Sequence, residues 1–308
     1  MRPELAPMHL TEKIARLQKA SLERYTPKAV PAHSDAATPA YQIPFWPEAT
    51  RGVPNAVLRS ALFAATKKGT RRYIDREQLH AQGDIRILYS GPWLGQCDLD
   101  AWETIVHLAR SSTNSFEIRT TSYHLLKLQS KADAGTNRKT LHNCIVRLKA
   151  TAVEVKHGNY SYVGSLIDEA FRDEDTNQYV IRLNPRLCSL FVQGSFTRVD
   201  WNVRRSLAGK PLAQWLHGYF SSHAKPFPVR IETLLRLAGS SDESASSGEQ
   251  NVRRALDALA QASNENAQPL SYTIHNKTVH VVRQPSKTQR KHLENRSSHQ
   301  PKGPQGIP

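Results

Sequence analysis

The segment Asn137–Ala150 pairs an apolar stripe with a face of cationic and hydrogen-bonding side chains. Its apolar residues recur at i, i+3, i+4 and i+7, which predicts an amphipathic helix that buries Leu141, Cys144, Ile145 and Leu148. The remaining face carries Arg138, Lys139, His142, Asn143 and Arg147, and no acidic residue lies within the segment. Asparagine reads adenine and lysine or arginine reads guanine in the major groove. We interpret the helix as base-reading, with an ordinary solvated helix as the alternative.

A second segment, Glu249–Ser263, repeats the pattern with less positive charge. Its predicted inward face consists of Val252, Ala255, Leu256 and Leu259. Its predicted outward face consists of Gln250, Arg253, Arg254 and Gln261. Asp257 also points outward and would repel phosphate, so we expect base contacts only from the N-terminal turns of this helix.

Each of these helices follows a shorter helix and precedes a β-hairpin. The predicted first helices are Thr121–Lys131 and Ile231–Ala238. The predicted hairpins are Ala152–Lys156 with Tyr160–Ile167, and Ser271–Ile274 with Thr278–Val282. Helix, helix and hairpin in this order are typical of a winged helix-turn-helix, whose second helix enters the major groove. Lys156 and His157 on the first hairpin and Lys277 on the second are predicted to contact phosphate or the minor groove.

The pattern predicts an α+β fold with two tandem winged-helix domains between disordered arms. We expect a mostly disordered arm over 1–50 with one short amphipathic helix, domains over 51–194 and 195–283, and a disordered basic tail over 284–308. Further predicted helices are Asn55–Lys68, Leu99–Ser111 and Trp201–His223. Further predicted strands are Ile85–Ser90, Phe116–Thr120 and Tyr179–Leu183.

Composition indicates a polyanionic partner. The 308 residues include 42 Lys+Arg and 27 Asp+Glu, a formal net charge of +15. Nucleic acid is the commonest partner of such a chain, although charge alone does not separate DNA from RNA or from an anionic membrane surface. Three well-separated cysteines favour neither a disulfide framework nor a zinc motif and indicate a cytoplasmic protein. No apolar run is long enough to cross a bilayer or to serve as a secretory signal.

A basic cluster without acidic residues occupies the start of the first predicted domain. It consists of Arg51, Arg59, Lys67, Lys68, Arg71 and Arg72. These residues predict either contact with a DNA backbone or with single strands beside Tyr73, or a solvated helix face.

Sequence patterns for catalysis are weak. There is no GxxxxGK[ST] phosphate loop and no His-x-His metal pair, and we expect no enzymatic activity, cofactor or metal site. His107 and Arg110 match the HxxR spacing of tyrosine recombinases, but they lie in an apolar helix without the other residues of such a site.

Several strings resemble the TrfA family, the replication initiators of broad-host-range IncP plasmids. They are RGVPN at 51–55, LRSALFAA at 58–65, RRY at 71–73, AVEVKHG at 152–158, FTRVDW at 196–201, PLAQWLHG at 211–218 and SHAKPFP at 222–228. The resemblance runs from about Arg51 to Arg283. It implies two winged-helix domains that bind directly repeated origin sites (iterons) as a monomer, with an inactive dimer as a reservoir.

The resemblance also implies opening of adjacent A·T-rich DNA, contact with its single strands, and recruitment of the host initiator, the replicative helicase and the polymerase sliding clamp. Leu62 and Phe63 resemble the end of a clamp-binding pentapeptide, although Arg59 stands where glutamine is usual; the alternative is that both are core residues. We expect a plasmid replication initiator. A winged-helix repressor and a strand-cleaving recombinase or relaxase are the other possibilities.

Overall fold

The computed structural model describes residues 42–66, 71–111, 116–158, 160–176, 178–240 and 245–298. All of them fall in one compact unit, and the predicted helix within His9–Tyr25 lies outside them. Among the described helices, none has the length and apolar character that a bilayer crossing requires.

The first part of the chain builds three sheets around a long helix. Its elements are β1 (Thr50–Pro54), α1 (Asn55–Leu58), β2 (Tyr73–Leu79), β3 (Arg86–Pro92), α2 (Gln96–Ala109), β4 (Glu117–Thr121), α3 (Ser122–Leu128), α4 (Gly135–Lys149), β5 (Ala152–His157), β6 (Tyr160–Gly164), β7 (Glu169–Arg172), β8 (Gln178–Arg182) and a 3-10 helix (Pro185–Phe191). The side chain of Thr121 caps α3 by accepting a hydrogen bond from His124 N at 3.1 Å.

The second part contains five helices and four strands among the described residues. Its elements are β9 (Phe196–Asp200), α5 (Trp201–Ser206), α6 (Pro211–Ser221), β10 (Val229–Arg230), α7 (Ile231–Leu237), α8 (Ala245–Glu265), β11 (Leu270–His275), β12 (Thr278–Arg283) and α9 (Lys287–Ser298). Strand β9 pairs antiparallel with β1, with Arg51 opposite Val199.

Two copies of one motif run through these elements. In both, a strand leads into a short helix, a second helix follows, and a hairpin completes a three-stranded sheet. The strand orders are β4-β8-β7 and β10-β12-β11, so the last strand of each hairpin pairs with the strand before the helices. We call the first set (β4, α3, α4, β7, β8) the first module and the second set (β10, α7, α8, β11, β12) the second module. The fold is α+β with two tandem winged-helix modules.

The hairpin that follows α4 in sequence is not the wing of the first module. Strands β5 and β6 join β2 and β3 in a separate four-stranded sheet of order β2-β3-β5-β6. The wing is the later hairpin β7–β8, in which Phe171 lies opposite Val180. The prediction that placed Lys156 and His157 on the first wing is therefore wrong. The error arose because β5–β6 is adjacent to α4 in the chain, whereas its partner strands come from far upstream.

Two hydrophobic clusters form the interior; the first draws mainly on the first part of the chain but includes Val199, and the second draws mainly on the second part but includes Ala65. A buried charged group joins them. Arg204 of α5 is 1% exposed, and its Nε lies 2.9 Å from Asp100 Oδ1 and 3.0 Å from Glu103 Oε2 of α2. The indole of Trp215 donates a hydrogen bond to the Ser60 carbonyl at 3.1 Å. The predicted domain limits of 51–194 and 195–283 stay predictions.

The predicted helix Asn55–Lys68 ends after one turn, at Leu58. Beyond it, every residue from Ser60 to Ala65 is buried, a pattern without the exposed face of an amphipathic helix. Backbone groups of this segment bond to other elements instead: Ala61 N to His80 O at 2.8 Å, and Ala64 N to Leu94 O at 3.0 Å.

Two other predicted elements also differ. The predicted helix Trp201–His223 is two helices, because Gly209 adopts φ +80° and Pro211 starts α6. The predicted disordered tail 284–308 contains helix α9 over Lys287–Ser298; Gln289 anchors its start by donating a hydrogen bond to the Ser221 carbonyl at 2.8 Å.

The predicted disordered arm 1–50 is ordered where the structure describes it, from residue 42. Ile43 and Trp46 are buried in the first core cluster. The Trp46 indole donates a hydrogen bond to His107 Nδ1 at 3.0 Å, and His107 Nε2 lies 2.8 Å from Glu48 Oε2. Burial of His107 among these groups and near cations lowers its pKa to about 4. Arg110 donates to the Trp46 carbonyl at 2.9 Å, so the HxxR residues anchor this segment.

Candidate nucleic-acid interface

The outward face of α4 combines a cation, an amide and an aliphatic side chain. Lys139 and Asn143 are exposed as predicted, and Val146, at 51% exposure, continues the same face one turn later. Asn143 makes no hydrogen bond to another described residue, so its amide is available. The buried stripe is also as predicted: Leu141, Cys144, Ile145 and Leu148. On this face, Lys139 and Asn143 can form hydrogen bonds with a ligand, and Val146 offers its methyl groups for apolar contact.

Arg147 does not lie on that face. Its guanidinium bonds Asp98 of α2, with Nε at 2.9 Å and Nη2 at 2.7 Å from Oδ1, and its side chain is 20% exposed. Burial opposes its charge, but the Asp98 carboxylate outweighs burial and raises its pKa. The prediction that Arg147 points outward is wrong. The buried acid that draws it inward lies 49 residues earlier, outside the helix periodicity.

Asp98 organises the base of α4. It is fully buried and accepts a hydrogen bond from Gly95 N at 2.8 Å, which caps α2. The Oδ2 atom of Asp98 also pairs with Arg71, whose Nη1 lies 3.0 Å away. This one carboxylate therefore joins three parts of the chain: the start of α2, Arg71 just before β2, and helix α4.

Two other predicted residues on α4 are engaged within the protein. Arg138 forms a bidentate pair with Asp133, with Nε–Oδ1 at 2.6 Å and Nη2–Oδ2 at 2.5 Å, which raises the pKa of Arg138. His142 is partly buried, and its Nδ1 lies 3.0 Å from the Tyr179 hydroxyl. The free groups of the α4 surface are thus fewer than the sequence indicated.

Helix α3 adds residues to this surface that the sequence analysis did not select. Tyr123 is 54% exposed, and the ammonium of Lys127 lies 5.9 Å from the centre of its ring. His124 beside them is exposed. An aromatic residue at the third position of the predicted helix Thr121–Lys131 was the available signal.

In the second module, helix α8 displays the predicted face. Gln250, Arg253 and Arg254 are exposed, and Arg253 pairs loosely with Glu249 at 3.4 Å. Arg254 has no ion pair or hydrogen bond to another described residue. Asp257 is exposed as well, but it accepts a hydrogen bond from the Tyr272 hydroxyl of β11, so this acid is held toward the hairpin.

The two wings carry opposite charge. The turn of β7–β8 begins with Asp173, Glu174 and Asp175, and Asp173 Oδ1 accepts from Asp175 N at 2.9 Å and from Thr176 N at 3.1 Å. These backbone hydrogen bonds lower the pKa of Asp173. The turn of β11–β12 presents Lys277, exposed and at φ +58°. Outside the wings, Lys156 on β5 is exposed, and His157 faces Asp84 at 3.8 Å.

The basic cluster of 51–72 is not a continuous surface. Arg51 is 2% exposed and stacks over Trp201, with 4.4 Å to the ring centre. Arg59 Nε donates to the Ser222 hydroxyl at 2.9 Å, and Arg72 pairs with Glu77 at 3.1 Å. Lys67 and Lys68 lie outside the described residues. Arg51 and Arg59 therefore bond groups in the interior, whereas Arg72 and its partner Glu77 are exposed.

Leu62 and Phe63 are each 1% exposed and belong to the first core cluster. The Phe63 ring lies 6.2 Å from the Trp102 ring, and the Gln96 amide donates to the Phe63 carbonyl at 2.6 Å. The prediction of a clamp-binding peptide at these residues is wrong, because the segment is packed into the first core cluster.

One cluster in the described part of the chain has donor atoms close enough to hold a metal. Cys97, Asp98 and Cys144 offer atoms within 4.8 Å of one another. Arg71 and Arg147 already neutralise the carboxylate, so the charge at this point does not favour a cation.

The model of the TrfA protein family matches residues 3–280. The chain belongs to the TrfA family. The plasmid replication initiator protein TrfA of Escherichia coli is 25% identical over 258 residues, which cover 81% of this chain and 66% of that protein. The chain therefore spans just under two thirds of this relative.

Solved structures with a similar fold include two domains of the protein RctB. Domains 2 and 3 of RctB align with a TM-score of 0.53 and 14% identity, covering 76% of this chain and 98% of that one. This likeness supports the fold alone. The Pi initiator protein in complex with iteron DNA aligns with a TM-score of 0.47 and 10% identity over 62% of this chain and 94% of that one, a score that supports no conclusion about this chain.

Proposed function

We propose that this TrfA-family protein is a plasmid replication initiator that binds double-stranded, directly repeated origin sites. The observation that carries the proposal is the presence of two helix-turn-helix modules in one chain, each with exposed polar side chains on its second helix: Lys139 and Asn143 on α4, Gln250 and Arg254 on α8. The net charge of +15 supports a polyanionic ligand.

Two unequal modules on one chain favour direct repeats over palindromes. A symmetric dimer reads two identical half-sites in opposite orientation. Here the wings differ in charge and the helices in sequence, so each module reads its own half of an asymmetric site. Monomer binding with an inactive dimer as reservoir follows as part of the proposal.

Base reading in the first module rests on fewer α4 side chains than the sequence indicated. Asn143 can pair with adenine and Lys139 with guanine, while the isopropyl group of Val146 can contact a thymine methyl. Tyr123 and Lys127 on α3 lie on the exposed side of the preceding helix and suit backbone contacts. In the second module, Gln250 and Arg254 suit base contacts and Lys277 a phosphate contact.

The initiator role includes opening of adjacent A·T-rich DNA, binding of its single strands, and recruitment of the host initiator, replicative helicase and sliding clamp. Bending of DNA by several bound monomers would strain flexible steps next to the repeats. Recruitment of the clamp requires a surface other than Leu62–Phe63.

The proposal is tested with the full chain on a supercoiled plasmid that carries direct repeats from its own origin. We expect protection of the repeats and permanganate-reactive thymines in the neighbouring A·T-rich stretch. Protection without reactive thymines would show a repressor-type protein instead. A covalent protein–DNA adduct on a suicide substrate would show a strand-cleaving enzyme.

A further inference from the structure

Two thiols meet beneath the recognition helix of the first module. Cys144 lies on the buried face of α4, and Cys97 is the second residue of α2. Their sulfur atoms lie within 4.8 Å of each other. The Cys144 thiol also faces the Cys97 carbonyl oxygen at 3.6 Å. The two residues are 47 positions apart in sequence, so only the packing of α4 against α2 brings them together.

Two guanidinium groups face this pair of sulfurs. Arg71 Nη2 lies 3.2 Å from Cys97 Sγ, and Arg147 Nη2 lies 3.2 Å from Cys144 Sγ. Cations beside a thiol favour the thiolate, which is the form that oxidants attack; the Asp98 carboxylate, which pairs with both guanidinium groups, opposes this effect. Cys97 is only partly buried, so a small oxidant can reach it, whereas Cys144 is 2% exposed. The arrangement supplies one accessible, activated thiol and one protected thiol next to it.

We propose that Cys97 and Cys144 form a reversible disulfide on exposure to peroxide, which ties the start of α2 to α4. The formation of this bond does not depend on the proposed function. A disulfide needs sulfur atoms about 2.05 Å apart, so the two side chains must move toward each other from their present separation.

The chemistry assigns a role to each cysteine. Hydrogen bonding between the two thiol side chains, with Cys144 as the donor, lowers the pKa of the Cys97 thiol and raises that of Cys144. The Cys97 thiolate attacks one oxygen of hydrogen peroxide; the O–O bond breaks, hydroxide leaves and is protonated to water, and Cys97 becomes a sulfenic acid. The Cys144 sulfur then attacks the Cys97 sulfur, the S–O bond breaks, and the hydroxyl leaves as water with the thiol proton. Two thiols are oxidised and one peroxide is reduced to two waters.

Cys188 provides an internal control. It lies on the 3-10 helix, and burial raises the pKa of its thiol to about 11. Because reactivity follows the thiolate fraction, we expect Cys97 to react with peroxide at least about tenfold faster than Cys188.

The experiment treats the folded full chain with increasing hydrogen peroxide, alkylates the remaining thiols, and maps peptides by mass spectrometry with and without a reductant. We expect a cross-linked peptide joining Cys97 to Cys144 that the reductant releases, with Cys188 still alkylated. Cys188→Ser should leave the cross-link unchanged, and Cys97→Ser and Cys144→Ser should each abolish it. Stable oxidation of Cys97 with Cys144 still alkylated, or equal loss of Cys188, would overturn the proposal, and the wild-type map alone decides this if a variant fails to fold.

Discussion

The two winged-helix modules share strand order and helix order, but they differ in how the second helix is held and in the charge beside it. In the first module, Arg147 is drawn inward by Asp98, and the wing begins with three consecutive acids, Asp173 to Asp175. In the second module, Arg254 stays exposed and the wing turn carries Lys277. The same fold can therefore use a helical arginine either as a structural anchor or as a free surface group.

This difference predicts an unequal division of labour on DNA. An acidic wing repels phosphate, so the first module has to rely on the α3–α4 surface for contact. A basic wing adds backbone attraction to the second module. We expect the second module to contribute more of the salt-dependent affinity, and α4 to contribute base preference.

The largest expected effect comes from removing the anchor of the first module. Asp98→Ala leaves Arg71 and Arg147 without their buried carboxylate and uncaps α2, so we expect a loss of about 3–5 kcal/mol in the free energy of unfolding. Denaturant titration monitored by circular dichroism measures it.

The matched control for that prediction is Asp133→Ala, which breaks the exposed pair with Arg138 in the same module. We expect it to lower the free energy of unfolding far less than Asp98→Ala does, because solvent screens this exposed pair. Equal losses for the two variants would contradict the assignment of Asp98 as the anchor.

A buried histidine in the second part of the chain makes stability depend on pH. Burial lowers the pKa of His217 to about 3. The pKa of His217 is lower in the folded than in the unfolded state. Its contribution to the free energy of unfolding is therefore complete above about pH 6.5, and it is lost as the pH falls, by up to about 1.4 kcal/mol per pH unit. Burial raises the pKa of Glu103 to about 7, which acts in the opposite sense, reducing stability as the pH rises from 4.5 to 7.

We expect His217→Gln to flatten the loss of unfolding free energy between pH 6.5 and pH 5, measured by denaturant titration at each pH. The variant retains a neutral polar side chain and cannot take up a proton. An unchanged pH profile in the variant would show that other groups carry the dependence.

The next effect separates the two arginines. Arg254→Ala should weaken specific DNA binding by about 1–3 kcal/mol and leave the free energy of unfolding unchanged, because the side chain is exposed and makes no hydrogen bond or ion pair with another described residue. Arg147→Ala should instead lower the free energy of unfolding. Fluorescence anisotropy on one iteron measures the DNA affinity of each variant, and denaturant titration measures its free energy of unfolding. Equal losses of unfolding free energy in the two variants would contradict the contrast between the modules.

The smallest effects concern the wings. Lys277→Ala should lower the slope of log affinity against log salt concentration by about 1, since one phosphate contact is lost. Asp175→Asn should strengthen binding slightly at low salt because a repulsive charge is removed. Weaker binding by Lys277→Ala together with stronger binding by Asp175→Asn would support the contrast between the basic and the acidic wing. Weaker binding by Asp175→Asn would contradict it.

Local patterns in the sequence were sufficient for the helices of both modules and for the hairpin of the second module. The stripe of α4 was predicted residue by residue, and the hairpin β11–β12 was found because its strands are neighbours in the chain. Gly209 and Pro211 also signalled the break before α6, although the prediction did not use them.

Long-range packing decided what the sequence analysis missed. The pairing of β1 with β9 and of β4 with β8 joins distant segments, so the true wing of the first module was not recognised. The inward turn of Arg147 depends on a single acid in another helix. The periodicity of one helix shows which residues are not apolar, but it does not show which of them find a buried partner.

The most direct test of the central claim, that α4 and α8 of one chain read separate parts of one DNA site, is selection of bound sequences from random DNA. The wild-type chain, Asn143→Ala and Arg254→Ala are compared. We predict that each variant relaxes base preference at its own positions within the site, and that the two sets of positions do not overlap. Relaxation at the same positions in both variants, or an unchanged site in either, would contradict the account.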